Sequence, residues 1–335
     1  MKQPLVSILM PVKNTAPFLV ACLDSIVQQH YSAWELLAVD DGSTDDSWSI
    51  LQAYAQQHQN IHCIKNTGTG IIEALRTAYA AAKGTFITRM DSDDIMPLNK
   101  LQILVANLLK HGTGYLATGA VEYFSANELG DGYRRYAAWL NQLSATGNNF
   151  RELYKECVIP SPCWMVSRSD LEACQAFRPN RYPEDYDLCF RFYEQRLQCI
   201  PCDEVLHLWR DSPNRTSRHD PNYANNSFLE LKVHYFLKLN HQNNRPLVLW
   251  GAGKKGKYLA QLLTKHKIAF HWICNNDKKI GKHIYDHDLL PIKHIKTLQS
   301  PQFIIAIAQP DAQLEIKYSF DNQGLKSMQD FFFFC

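Results

Sequence analysis

No stretch of this chain approaches the roughly 20 apolar residues that a helix needs to cross a bilayer, so the sequence offers no transmembrane anchor. The opening residues, MKQPLVSILMPVKN, hold a short apolar run but no small-residue cleavage site. They read as a first strand rather than a signal peptide, and cytoplasmic residence is the expectation. Arginine is absent after Arg245. Residues 246–335 carry 12 lysines against 7 acids, whereas residues 1–245 carry 23 basic and 26 acidic residues, so the net charge of +2 hides a break at Arg245-Pro246. That break predicts domains at 1–220 and 246–335, joined by a helical linker over 221–245. The lysine surplus is too mild to predict a nucleic-acid partner. Among ten cysteines only Cys199 and Cys202 form a tight pair. No second pair accompanies them, and QCIPCDEVLHLW reads as strand, not as the helix start a redox motif requires. Reduced structural thiols are expected. Internal repeats are missing, and the terminal FFFFC is the only low-complexity run.

Hydrophobic content of 46% and charged content of 20% are those of a folded protein. Strand and helix alternate through the first hundred residues. LVSILMPV is a strand, Phe18, Leu19, Cys22, Leu23, Ile26 and Val27 recur at helical spacing, and WELLAVDD is a second strand. Ser43, Thr44 and Asp45 offer a cap for the next helix. IHCIKN, a helix closed by Gly84, and TFITRMD complete a β-α-β-α-β-α-β order, which predicts a doubly wound, mainly parallel sheet. Beyond it, YLATGAVEYF reads as one strand, residues 127–150 as a polar surface excursion, 184–197 as a helix and 198–209 as a strand.

Three acidic clusters carry the chemistry: Asp40-Asp41, Asp91-Ser92-Asp93-Asp94 and Glu184-Asp185. The first two follow β-prone runs, so their carboxylates fall at strand ends, where open α/β sheets bind ligands. Anions gathered in one crevice repel one another unless a cation joins them. A divalent ion held by carboxylates commonly carries phosphate oxygens too, so the pattern points to metal-assisted handling of a nucleotide diphosphate. A lone Asp-x-Asp is also an ordinary helix-capping turn, and Asp94 is placed to cap the helix that follows. Asp185, after Pro183-Glu184, has the look of a first helical turn.

Taken together, VSILMPVKN, VDDGSTDDS, RMDSDDIMP and EDYDLCFR resemble, in order and spacing, the inverting family 2 glycosyltransferases of GT-A fold. The resemblance covers roughly residues 4–220. It implies that Pro11, Val12 and Asn14 line the nucleotide pocket and that Asp41 contacts the uracil or ribose. It implies Asp91 and Asp93 as ligands of Mn²⁺ or Mg²⁺, Asp185 as general base, and Glu184 as the acid that orients it or the acceptor. Arg210 and Arg215, in LWRDSPNRTSR, become candidate phosphate contacts. Many relatives carry Asn where this chain has Arg76, a cation that could serve the diphosphate or face solvent. A nucleotide-sugar donor, a UDP-sugar for preference, and a glycan or glycolipid acceptor follow, in bacterial surface-polysaccharide assembly, with any membrane contact peripheral at the inner face.

Past Arg245, PLVLWGAGKKGKYLAQLL gives a strand, Gly251-x-Gly253-x-x-Gly256 and a helix, the context of a dinucleotide loop. The second strand ends in Asn275-Asn276-Asp277 rather than in a clear acid. A small Rossmann-like unit is expected, with a bound nucleotide and a docking role both open. Two rival functions follow: a nucleotide-sugar-binding protein without catalysis, and an NAD-dependent oxidoreductase built on this segment. The latter lacks an evident Tyr-Lys pair.

Overall fold

The computed structural model describes residues 3–125, 130–211 and 228–335. Its Cα packing forms two units, Met1–Phe150 with Val158–Asn222 and Arg151–Cys157 with Tyr223–Cys335.

The first unit runs β1 (Val6–Val12), α1 (Ala16–Val27), β2 (Trp34–Asp40), α2 (Ser47–Gln57), β3 (Ile61–Lys65), α3 (Ile71–Ala81), β4 (Phe86–Arg89), α4 (Lys100–His111), β5 (Tyr115–Thr118), β6 (Ala120–Phe124), α5 (Asp131–Thr146), β7 (Trp164–Ser167), α6 (Arg168–Ala173), α7 (Glu184–Glu194), β8 (Gln198–Ile200) and β9 (Val205–Arg210). Seven strands form one sheet in the order β3-β2-β1-β4-β7-β5-β8. It is parallel from β3 through β4, and β7 is antiparallel to both its neighbours, β4 and β5. The sheet is therefore α/β and mixed. The apolar stripe of α1 buries Leu19, Cys22, Leu23 and Ile26 as its periodicity predicts.

Several local expectations need correction. YLATGAVEYF is two strands in two sheets: β5 lies in the large one, while β6 pairs in parallel with β9. The break falls at Gly119, where a Cβ would sit 2.6 Å from Leu206. The excursion expected at 127–150 contains the 16-residue α5, closed by Gly147 in the left-handed region. Tyr133, Tyr136, Ala137 and Trp139 pack on the core and Leu140 is buried within it, an apolar stripe diluted by polar neighbours. The single strand expected at 198–209 is likewise β8 and β9. Gly84 does not close α3, which is capped at Ala82. It lies where a Cβ would meet the Ser7 nitrogen at 2.5 Å. Asp45 does bond a first-turn N–H of α2, at Ser47, and its other oxygen accepts from Ala16 N of α1.

In the second unit, β10 (Leu247–Trp250), β11 (His271–Cys274), β12 (His283–Ile284), β13 (His287–Pro291), β14 (Gln302–Ile305) and β15 (Phe331–Phe333) form a sheet ordered β12-β13-β11-β10-β14-β15. All its pairings are parallel except β12 with β13. The terminal phenylalanine run is thus a buried strand: Phe331 packs with Phe303 and Phe320 in the core. The ten cysteines are all free. Burial pushes the thiol pKa values of Cys199 and Cys202 upward, which keeps both protonated and unreactive. Among the described residues no helix is long and apolar enough to cross a membrane.

Candidate active site

The strand order reverses at β1, whose neighbours are β2 on one side and β4 on the other. Such a switch point opens a crevice at the carboxyl ends of the strands. Pairing of β4 stops at Leu9↔Arg89, whereas β2 stays in register with β1 as far as Val12↔Asp40. Pro11 sits beyond the last β4 pair, so its missing N–H costs no ladder bond. Asn14 follows with φ 53°; its Oδ1 accepts from Thr44 N at 2.8 Å and its N–H donates to Ser43 Oγ at 3.0 Å. The loop after β1 is thereby fastened to the loop after β2. Thr15 Oγ1 donates to Ser92 Oγ at 3.0 Å, which fastens it to the loop after β4 as well.

Arg89, the last residue of β4, joins two acidic clusters that lie 93 residues apart in the chain. Its Nε donates to Asp91 Oδ1 at 2.9 Å and its Nη1 to Glu184 Oε1 at 2.9 Å. Arg89 and Glu184 are buried, and the Asp91 side chain is one-quarter exposed. A buried guanidinium is stable only when paired, and its flat fork holds two carboxylates at fixed directions. The Asp-x-Asp element and the first turn of α7 are thus one electrostatic unit. Asp185 is half-buried beside Glu184 and bonds the Tyr186 N–H at 2.7 Å. Burial first, then repulsion from Glu184, pushes the Asp185 pKa up to about 7, with Arg89 opposing. A carboxylate titrating near neutrality is matched to general-base work.

A second buried assembly supports the loop from beneath. Asp94 does not cap α4, whose cap position is Asn99. Its Oδ2 instead lies 2.8 Å from His207 Nε2, and its Oδ1 accepts from Arg210 N at 2.7 Å. Lys100 Nζ sits 3.2 Å from His207 Nδ1 and donates to Pro162 O at 2.7 Å. Asp94, Lys100 and His207 are all buried. An ammonium has no lone pair, so Nδ1 accepts and Nε2–H donates to Asp94, which fixes the tautomer. Burial lowers the Lys100 pKa, while Asp94 and Asp91 are among the groups opposing that shift. Arg210 then places its guanidinium beside the Asp-x-Asp turn: Nε donates to Asp93 O at 2.6 Å, and Phe18 and Phe124 flank it at 4.7 and 4.5 Å.

The glycosyl transferase family 2 model matches residues 7–174, half of the chain. This chain belongs to glycosyl transferase family 2. The family 2 protein is 25% identical over 345 residues to the uncharacterized glycosyltransferase EpsJ of Bacillus subtilis (strain 168), covering 96% of this chain and 97% of that one. It is 27% identical over 230 residues to the Escherichia coli UDP-Glc:alpha-D-GlcNAc-diphosphoundecaprenol beta-1,3-glucosyltransferase WfgD, covering 68% and 83%. Its GT-A fold is shared with S. aureus TarS 1-349 in complex with UDP-GlcNAc, at TM-score 0.56, 16% identity and coverage of 78% and 72%. The mannosyltransferase PcManGT from Pyrobaculum calidifontis, in complex with GDP-Man and Mn²⁺, aligns at TM-score 0.54, 19% identity and coverage of 78% and 70%.

Within this glycosyltransferase the expected site residues divide. Pro11, Val12, Asn14, Asp41 and Asp91 occupy the ends of β1, β2 and β4 or the loops that leave them, and Asp93 and Arg210 meet through the Arg210 bond. Asp41 is buried and bonded by protein: Asn66 Nδ2 donates at 2.6 Å, Gly70 N at 2.9 Å and Lys13 Nζ at 3.1 Å. It ties the loops after β1, β2 and β3 together through these bonds. The sequence leaves Arg76 between serving the diphosphate and facing solvent, and in the structure it is engaged by protein. Its guanidinium reaches Phe177 O, Glu73, Arg178 O and Asn180, so it ties α3 to the segment leading to α7 and has little donor capacity for a diphosphate. Arg215 lies outside the described residues. Arg89 and Lys100 escaped the sequence reading, and His207, beside the expected closing loop, is set aside there as a metal ligand. Arg89 reads there as one residue of a strand, and only a charge placed immediately before Met90-Asp91 hints at its role.

Proposed function

We propose that the protein transfers a sugar from a nucleotide-diphosphate donor, a UDP-sugar for preference, to an acceptor hydroxyl with inversion. The observation that carries this reading is the Arg89 bridge, which ties a donor-side carboxylate, Asp91, to the Glu184-Asp185 pair. Asp185 takes the acceptor proton on its carboxylate as the hydroxyl attacks. Glu184, pinned by Arg89, keeps that carboxylate and the acceptor aligned. Attack on the face opposite the departing diphosphate inverts the anomeric centre. Arg210, aromatic on both sides and anchored at Asp93 O, supplies a fixed positive charge beside the Asp-x-Asp turn.

Asp91 and Asp93 are the residues that would hold Mn²⁺ or Mg²⁺, and carboxylate oxygens suit either ion. Among the described residues no group of three or more His, Cys, Asp or Glu could hold a metal. When bound, the ion would offset charge developing on the diphosphate. Support for this chemistry comes from the UDP-GlcNAc of TarS and from the GDP-Man and Mn²⁺ of PcManGT. The lipid-linked acceptor in the name of WfgD supports a glycan or glycolipid acceptor and a role in surface-polysaccharide assembly. The setting we infer is the cytoplasm, with peripheral contact at the inner membrane face.

Calorimetric titration with UDP, GDP and dTDP, each with Mn²⁺ and with EDTA, tests the reading on wild type and Asp93→Ala. The expected result is metal-dependent binding of one nucleotide, lost in Asp93→Ala. Absence of any metal-dependent binding in a folded protein would overturn it.

A further inference from the structure

The second unit contains a cavity of about 540 Å³ that the transferase chemistry does not use. It opens at the carboxyl ends of β10, β11 and β14, where Trp250, Cys274 and Ala306 line it. Here too the strand order reverses, with β11 on one side of β10 and β14 on the other, so the cavity occupies the switch-point crevice of its own sheet.

Its floor is the Gly251–Gly256 loop. Gly251 has φ 125°, and a Cβ there would lie 2.8 Å from Ala306 O. A Cβ on Gly256 would lie 2.1 Å from Gly251 O. These two glycines let the helix Lys254–Lys265 start hard against β10 and β14. Gly253 differs: its φ is −79° and a Cβ would meet nothing within 4 Å. Neither strain nor packing requires glycine at 253, and Gly253 lines the cavity. No side chain caps this helix, so its first amides point outward as donors. Lys254, Lys255 and Lys279 line the cavity together with one acidic side chain, Glu315, and Cys335, and Lys255 also lies near Glu156. Lys279 also donates to Ala252 O at 2.8 Å, which braces the loop.

We propose that this cavity binds a nucleoside diphosphate, free or as a nucleotide sugar, independently of the transferase site. The phosphates take the uncapped amides and the lysines, and the nucleoside lies along the neutral wall formed by Asn275 and Ala306. A volume of this size fits a mononucleotide. A dinucleotide is disfavoured, because β11 leads into Asn275 and Asn276 where its ribose would require a carboxylate.

Calorimetry on the full chain in EDTA, with UDP, ADP and inorganic pyrophosphate as probes, tests the proposal. EDTA silences the metal-dependent site proposed for the first unit. The expected result is one site per chain for a nucleotide, at least tenfold weaker in Lys254→Glu/Lys255→Glu and in Gly253→Val, and unchanged in Asp93→Ala. A Cβ at position 253 meets nothing within 4 Å in the ligand-free fold, and matched circular dichroism and thermal unfolding would show that each variant is folded. Three results would overturn the proposal. They are no nucleotide binding in EDTA, affinity unaffected by both cavity variants, and pyrophosphate binding as tightly as the nucleotides.

Discussion

Replacing Asp185 with asparagine should make this enzyme more stable while removing its activity. The folded pKa of Asp185, about 7, lies above its ordinary 3.8 because burial and Glu184 disfavour the anion. For an acid raised in this way, the native state holds its proton more tightly than the unfolded chain. Its ionisation therefore withdraws stability as pH rises from about 3.8, and the loss is complete above about 7. At roughly 1.4 kcal/mol per pH unit, the full shift corresponds to a ceiling of about 4 kcal/mol, of which about 2 kcal/mol falls between pH 5 and 8 after local relaxation. Asparagine has the same shape and no charge, so the advantage of Asp185→Asn over wild type should grow by about 2 kcal/mol across that interval. Urea unfolding in EDTA, read by hydrogen exchange of the β1 and β4 peptides, isolates the first unit. An advantage that stays flat or shrinks between pH 5 and 8 would refute the electrostatic account of Asp185. The same substitution should lower transfer by about 10²- to 10⁴-fold, the usual contribution of a general base, and wild-type turnover should rise with pH through neutrality.

Arg89→Met leaves two buried or half-buried acids without their shared cation and should cost about 3–5 kcal/mol, measured by the same unfolding assay. Adding Glu184→Gln should recover part of that loss, and a double-mutant cycle would quantify the coupling. His207→Ala should destabilise by about 2–4 kcal/mol by removing the ring that Asp94 and Lys100 share; His207→Gln, which can donate to Asp94, should retain more stability and more of the Arg210-dependent nucleotide affinity. Arg76→Ala should lower the melting temperature yet leave UDP affinity within about twofold, because its donors serve the 177–180 segment; a tenfold loss of affinity would return it to the diphosphate site.

The four parallel strands at the start were legible because each couples an apolar run to a polar turn: KNT, DGST, NTGTG and DSDD. The carboxylates at two of their ends, Asp40-Asp41 and Asp91-Ser92-Asp93, stood out for the same reason, whereas Asp185, in the first turn of α7, was marked only by the resemblance to family 2. Helix α5 was not legible: tyrosines, arginines and glutamine dilute its apolar stripe, and its burial depends on the core that β6 and β9 help to build. The separation of β5 from β6 depends on how closely Leu206 approaches Gly119, a tertiary contact with no local signature. The side chains that assemble the site were hidden for a related reason. Arg89 and Lys100 occupy positions that a periodicity reading assigns to the core or to solvent, and only their partners 95 and 107 residues downstream, Glu184 and His207, give their charges a purpose.

The Arg89 bridge also bears on the redesign of acceptor specificity. A chimaera that joins the first strands and helices of this enzyme to the following part of a relative would naturally be spliced near Gly112–Gly114, in the turn between α4 and β5. Such a junction separates Arg89 and Asp91 from Glu184, and Lys100 from His207. The grafted half must therefore bring an acid that Arg89 can hold and a ring that Lys100 can orient. A graft chosen for sugar-binding shape alone would inherit two stranded charges.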